Sequence, residues 1–192
     1  MGAEHLADDE LLARWRDGGA DAGNELVTRH FTSVARVFRY KADDALDDLV
    51  QQTFLTCVER RDVVVAAGGL RPFLLGVAYN LLRRHFEHKY RQHRFDPMTT
   101  SLRDLDGASP SSVVALAIER SAVVEALRGL PLDQQLALEL FYWEDLTATE
   151  IAVVLEVPEG TVRSRLRLGR DRLRASLDAS GGDPEARARA LR

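Results

Sequence analysis

Apolar residues in this chain recur at spacings of three and four, and nowhere does the pattern settle into strict alternation. That periodicity lets one helix face bury itself, and it excludes a half-buried sheet. Val63 to Val65 is a β-branched run, but it is short and close to Gly68 and Gly69. The expected fold class is therefore all-α. The first half predicts helices over 8–17, 21–40, 43–59 and 72–93. The first opens on the acids Asp8 to Glu10 and stops at Gly18-Gly19, and the last has Pro72 in its first turn. Leu26, Phe31, Val34 and Phe38 are expected on one face of the second helix, and Leu46, Leu49, Val50, Phe54 and Val58 on one face of the third.

Between 94 and 112 the composition shifts to Pro, Gly, Ser, Thr and Asp, as in a linker. The expected organisation is a domain over 8–93, a flexible linker over 94–112, a second domain over 113–179 and a frayed tail over 180–192. In the second domain one helix ends near Gly129 and another runs from about Leu132 to Glu144. Cys57 is the only cysteine, which rules out an internal disulfide, and its neighbours suggest a buried helical position.

Thr147-Ala148-Thr149-Glu150 has the spacing of a capping box, with Leu146 and Ile151 at the hydrophobic-staple positions. Glu156 to Gly160 is a short break, and another helix opens near Thr161. Successive residues advance about 100° around a helix. Val162, Leu166, Gly169 and Leu173 then share one face, while Arg163, Ser164, Arg167, Leu168, Asp171 and Arg174 point away. Arg165, Arg170 and Arg172 fall on the flanks. A short helix, a tight turn and a second helix with a cationic outer face match the groove-reading helix-turn-helix. The expected DNA-facing residues are Thr161, Arg163, Ser164, Arg165, Arg167 and Arg170. The net charge of −4 argues against tight unaided DNA binding, so a partner is implied.

From Leu130-Pro131 through Leu146–Ala152 to Pro158–Leu166 the sequence resembles region 4 of the extracytoplasmic-function (group IV) sigma factors of RNA polymerase. Asp47–Leu55 is similar to region 2.2 of that family, and Pro72–Arg83 to regions 2.3 and 2.4. The order agrees, over about residues 20–178. The resemblance implies two helical domains that dock on core RNA polymerase and recognise promoter DNA, with no small-molecule substrate, no cofactor and no enzymatic activity of the chain's own. It implies that Asp44, Asp47, Asp48, Gln51 and Gln52 form the polymerase-binding surface. It further implies that Asn80, Arg83, Arg84 and Lys89, with the loop over 60–70, meet the −10 element, and that the later helix-turn-helix meets the −35 element. The aromatic residues interleaved there, Phe86 and Tyr90 among them, suit unstacked bases.

An anti-sigma partner is implied in the same way. Gln52, Phe73, Tyr79 and Leu168 depart from the family's usual residues, the last two at positions expected to face DNA. His85 and His88 stand three apart on a helix, but no cysteine is near and Glu87 faces elsewhere, so no metal site is expected. Nothing in the first ten residues resembles a secretory signal and no apolar run is long enough to cross a bilayer, so a cytoplasmic location is expected. Two other readings stay open at this point: a free-standing helix-turn-helix regulator of duplex operator DNA, and a helical adaptor with no role at DNA.

Overall fold

The structure, a computed structural model, describes residues 6–60, 64, 69–91, 95–106 and 122–179. Every regular element among them is helical, apart from one isolated bridge between Ser101 and Pro131. The loop residues 61–63 and 65–68, residues 92–94, the linker from 107, the start expected near Val113 and the tail over 180–192 lie outside the described residues. The chain divides into two compact units, Met1–His85 with Val153–Glu156, and Phe86–Ala152 with Val157–Arg192.

The first unit opens with α1 (Asp8–Arg16) and α2 (Ala20–Phe38). A single 3-10 turn, Asp43–Ala45, leads into α3 (Leu46–Glu59), and α4 spans Leu70–Lys89. Gly18 ends α1 with φ of 98°, a left-handed conformation that costs glycine little. Gly23 serves a different purpose: a Cβ there would lie 2.5 Å from Trp15 Nε1, so its bare backbone lets α2 approach α1. Leu11, Leu12, Leu26, Val34, Phe38, Leu49, Val50, Leu74 and Leu75 are all buried.

A charged cluster fastens α1 to α2. Asp8 Oδ1 accepts from Arg29 Nη1 at 2.6 Å, and Asp8 Oδ2 lies 2.6 Å from Nε2 of the buried His30. The same Arg29 nitrogen donates to the Leu6 carbonyl at 3.0 Å. This corrects the placing of Phe31 on α2, while Leu26, Val34 and Phe38 are buried as expected. His30 is drawn towards Asp8, and Phe31, one step further round, is left 50% exposed.

On α3 one residue of the expected face, Val58, is displaced. A ladder of i+4 steps drifts about 40° per step, so Val58 has turned away from Val50 and is 46% exposed. Leu49 and Val50 point inward as expected, together with Thr53 and Cys57. The Thr53 hydroxyl is buried because it donates to the Leu49 carbonyl at 2.8 Å. Cys57 is buried as expected, and burial pushes its thiol up to about 11.

In the second unit the stretch expected as linker is partly docked. Asp96 closes a turn by accepting from the Met98 amide at 2.9 Å and the Thr99 hydroxyl at 3.1 Å. Ser101 and Asp104 cap α5 (Leu102–Asp106) reciprocally, at 3.0 and 3.2 Å. After α6 (Ala122–Arg128) and the Leu130-Pro131 break comes α7 (Leu132–Tyr142). The first amides of a helix lack partners within it. Here Leu132 N–H donates to the Thr100 carbonyl at 3.2 Å and Asp133 N–H to the Pro97 carbonyl at 3.0 Å. Residues 95–106 are thus anchored to the head of α7, and Leu102 is buried. All of Leu132–Leu140 is buried, polar residues included.

Burial raises the Asp8 carboxyl, but the hydrogen bonds and charges of Arg29 and His30 outweigh it and hold Asp8 below its usual value of 3.8. A depressed carboxylate contributes stability above its unfolded pKa, and that contribution fades as pH falls through the folded one. Asp8→Asn is therefore expected to lower stability at pH 7 by about 1 kcal/mol in urea denaturation. The gap to the parent should narrow below about pH 4.

Candidate nucleic-acid interface

Two helices build the motif: α8 (Ala148–Leu155) and α9 (Glu159–Ala179). The capping box forms as its spacing requires. Thr147 N–H donates to Glu150 Oε2 at 2.8 Å, and Glu150 N–H donates to Thr147 Oγ1 at 3.3 Å. Leu146 and Ile151, the staple pair, are both buried. The turn passes through Glu156 in the left-handed region, with φ of 53°. Val157 N–H then closes on the Ala152 carbonyl at 3.1 Å, and Thr161 N–H donates to the Pro158 carbonyl at 2.8 Å.

α9 buries Val162, Leu166, Gly169 and Leu173, the stripe read from the sequence. Gly169 brings α9 close to α7: a Cβ there would lie 3.1 Å from Leu138 Cδ1. Away from that stripe the side chains of Arg163 and Arg167 are 73% and 70% exposed. Ser164, Leu168 and Arg170 are exposed as well, and Thr161 is half-buried. Arg170 also lies over the Phe141 ring at 5.9 Å. Arg167 and Asp171 form a loose ion pair at 4.0 Å.

Arg165 is the exception, and the expectation that it faces DNA is corrected. Its side chain is only 10% exposed and donates to the buried Asp133 of α7. It lies about 200° round the helix from Arg163 and from Arg167, on the packed side. Arg172, also on a flank, donates to Gln134 Oε1 of α7 at 3.1 Å.

In the first half Arg84 and Lys89 are exposed on α4, and Asn80 and Arg83 are half-buried. Tyr79 and Phe86 are buried. Phe86 packs on Tyr90 and Phe95, with ring centroids 6.0 and 5.6 Å away. Phe86, read as interleaved for bases, is therefore internal, and Tyr79, at a position expected to face DNA, is buried. Asp44, Asp47, Asp48, Gln51 and Gln52 are all exposed, Asp44 on the 3-10 turn and the others along α3. Of the loop over 60–70, residues 61–63 and 65–68 lie outside the described residues, as do the basic and aromatic residues at 93 and 94.

Sequence reading missed one feature of this surface. Glu159 Oε1 accepts from Arg163 Nε at 2.8 Å, and Glu159 Oε2 accepts from the Thr149 hydroxyl at 3.1 Å. The signal was present as a Glu four residues before an Arg. The hydrogen bonds of Arg163 and then Thr149 hold the Glu159 carboxyl below its usual range.

The capped first helix, the tight turn and the cationic second helix define a helix-turn-helix protein of the groove-reading class. Comparison with known proteins narrows the class. Residues 120–173 match the family described as Sigma-70, region 4. The RNA polymerase sigma factor HrpL of Pseudomonas syringae pv. syringae is 32% identical over 168 residues, covering 85% of this chain and 91% of that protein. The ECF RNA polymerase sigma-E factor of Haemophilus influenzae is 28% identical over 181 residues, covering 88% and 94%. This chain belongs to the extracytoplasmic-function sigma factors of RNA polymerase.

Two solved structures share the fold. CnrH, in complex with the cytosolic domain of CnrY, has a TM-score of 0.67 at 24% identity, covering 91% of this chain and 99% of that one. The sigma factor RpoE of Bartonella quintana, in complex with the anti-sigma factor NepR, has a TM-score of 0.63 at 19% identity, covering 81% and 96%.

Three stability outcomes follow from these contacts. Removing one partner of a buried ion pair strands the other charge. Arg165→Ala is expected to cost about 3 kcal/mol, whereas Arg167→Ala should stay within about 0.5 kcal/mol, both read by chemical denaturation of the full chain. Thr147→Ala, which breaks the capping box, should cost about 1 kcal/mol in the same assay.

Proposed function

We propose that the chain meets promoter DNA at two separate surfaces, with Arg163, Ser164, Arg167 and Arg170 of α9 at the upstream (−35) element and Asn80, Arg83, Arg84 and Lys89 of α4 at the −10 element. As a member of its family the chain is an alternative sigma factor, which binds core RNA polymerase and directs promoter-specific transcription initiation. The polymerase supplies the catalysis, and the chain supplies the choice of start site. The observation that carries the α9 assignment is the exposure of Arg163 and Arg167 away from a buried apolar stripe on the same helix. A guanidinium forms paired hydrogen bonds to guanine O6 and N7 and also grips phosphates.

The exposed carboxylates and amides of α3, with Asp44, form the proposed docking surface for the polymerase. They are mostly acidic, which suits a protein partner better than DNA. The net charge of −4 fits DNA binding that depends on the polymerase. Association with an anti-sigma factor is proposed from the two solved relatives in fold, one bound to the cytosolic domain of CnrY and the other to NepR. No helix among the described residues is long and apolar enough to cross a membrane, and a cytoplasmic location is proposed on the same family grounds.

The test is run-off transcription with core polymerase and the full chain. Arg163→Ala with Arg167→Ala is expected to reduce initiation at a promoter that needs its upstream element by tenfold or more, at about 1–3 kcal/mol per base-edge contact. Binding of core polymerase should persist. Undiminished initiation by the double variant would overturn the assignment of α9.

A further inference from the structure

We propose that Glu159 is a positioning residue for Arg163, holding its guanidinium ready for a base edge and so setting the discrimination at the upstream element. The inference rests on the reading of α9 as the DNA-contacting helix.

Glu159 is the first residue of α9, and its two carboxylate oxygens are engaged by different helices. Oε1 lies 2.8 Å from Arg163 Nε and 2.6 Å from Arg163 Nη2, one turn along α9. Oε2 accepts from the Thr149 hydroxyl of α8 at 3.1 Å. The carboxylate therefore braces the arginine against the preceding helix rather than pairing with it alone.

The chemistry of the fork makes this useful. A guanidinium offers five N–H donors on two edges. Glu159 occupies the Nε–Nη2 edge. The Nη1–Nη2 edge remains for a bidentate contact such as guanine O6 and N7.

The arrangement has a cost that stability does not explain. An exposed ion pair spaced four residues apart adds little to folding. A carboxylate beside the DNA backbone weakens sequence-independent attraction. In return, a long side chain is ordered before binding, which reduces the entropy lost when the contact forms. General affinity falls while preference for the right base rises.

The experiment uses holoenzymes reconstituted from core polymerase and the full chain, carrying Glu159, E159Q, R163A or E159Q with R163A. Each selects duplexes from a promoter library randomised through the upstream element. E159Q is expected to lose preference at the same base position as R163A, by about tenfold. Its binding to a duplex without a promoter should be equal to or stronger than the parent's. The double variant should be no worse than R163A alone.

The inference is overturned if E159Q keeps the preference that R163A loses, or weakens every position equally, as a general defect in α9 would. A library on which R163A changes nothing would instead overturn the assignment of α9 to the upstream element, and this inference with it. The two failures are therefore distinguishable.

Discussion

The ion pair between Arg165 and Asp133 sets which way α9 faces. Both side chains are buried, so neither charge has water to fall back on. Turning α9 about its axis would separate them and leave two uncompensated charges, at a cost of several kcal/mol. With Arg165 held inward beside Val162, Leu166, Gly169 and Leu173, helix geometry carries Arg163 and Arg167 outward. Gly169 adds a second restraint, because its missing side chain leaves room for Leu138. The cationic face is therefore oriented from inside the unit, by α7.

α7 can serve as that platform because several of the polar groups it buries have partners. Its leading amides donate to the carbonyls of Thr100 and Pro97. Gln135 donates to Glu139 at 2.8 Å, and Gln134 accepts from Arg172. A helix buried along Leu132–Leu140 while carrying Asp, Gln and Glu depends on such partners. The docked turn over 95–106 is thus part of what seats the reading helix.

The sequence was most informative where the signal was local. The capping box at Thr147, the staple of Leu146 and Ile151, and the apolar stripe of α9 all depend on residues within about three turns of each other, and all appear in the structure. Arg165 was not legible because its residue type matches its DNA-facing neighbours. Its place on the flank left both sides open, and Asp133, 32 residues earlier, is the partner that draws it inward. The docking of 95–106 was hidden for a related reason, since backbone amides and carbonyls carry it and composition does not register them. On α3 the expected face was right at Leu49 and Val50 and had drifted outward by Val58. For the departures from the family pattern, position decides the meaning. Tyr79 is inside and bears on packing, whereas Leu168 is on the outer face of α9 and bears on whatever that face meets.

The single sulfhydryl of the chain lies sealed within the first unit, on the inner face of α3. With its thiol pushed up to about 11, almost none of it is thiolate at neutral pH. Oxidants attack the thiolate, and only where they can reach it. Cys57 is accordingly a poor sensor of oxidative stress, and a thiol-based alarm governing this protein would have to reside in a different molecule.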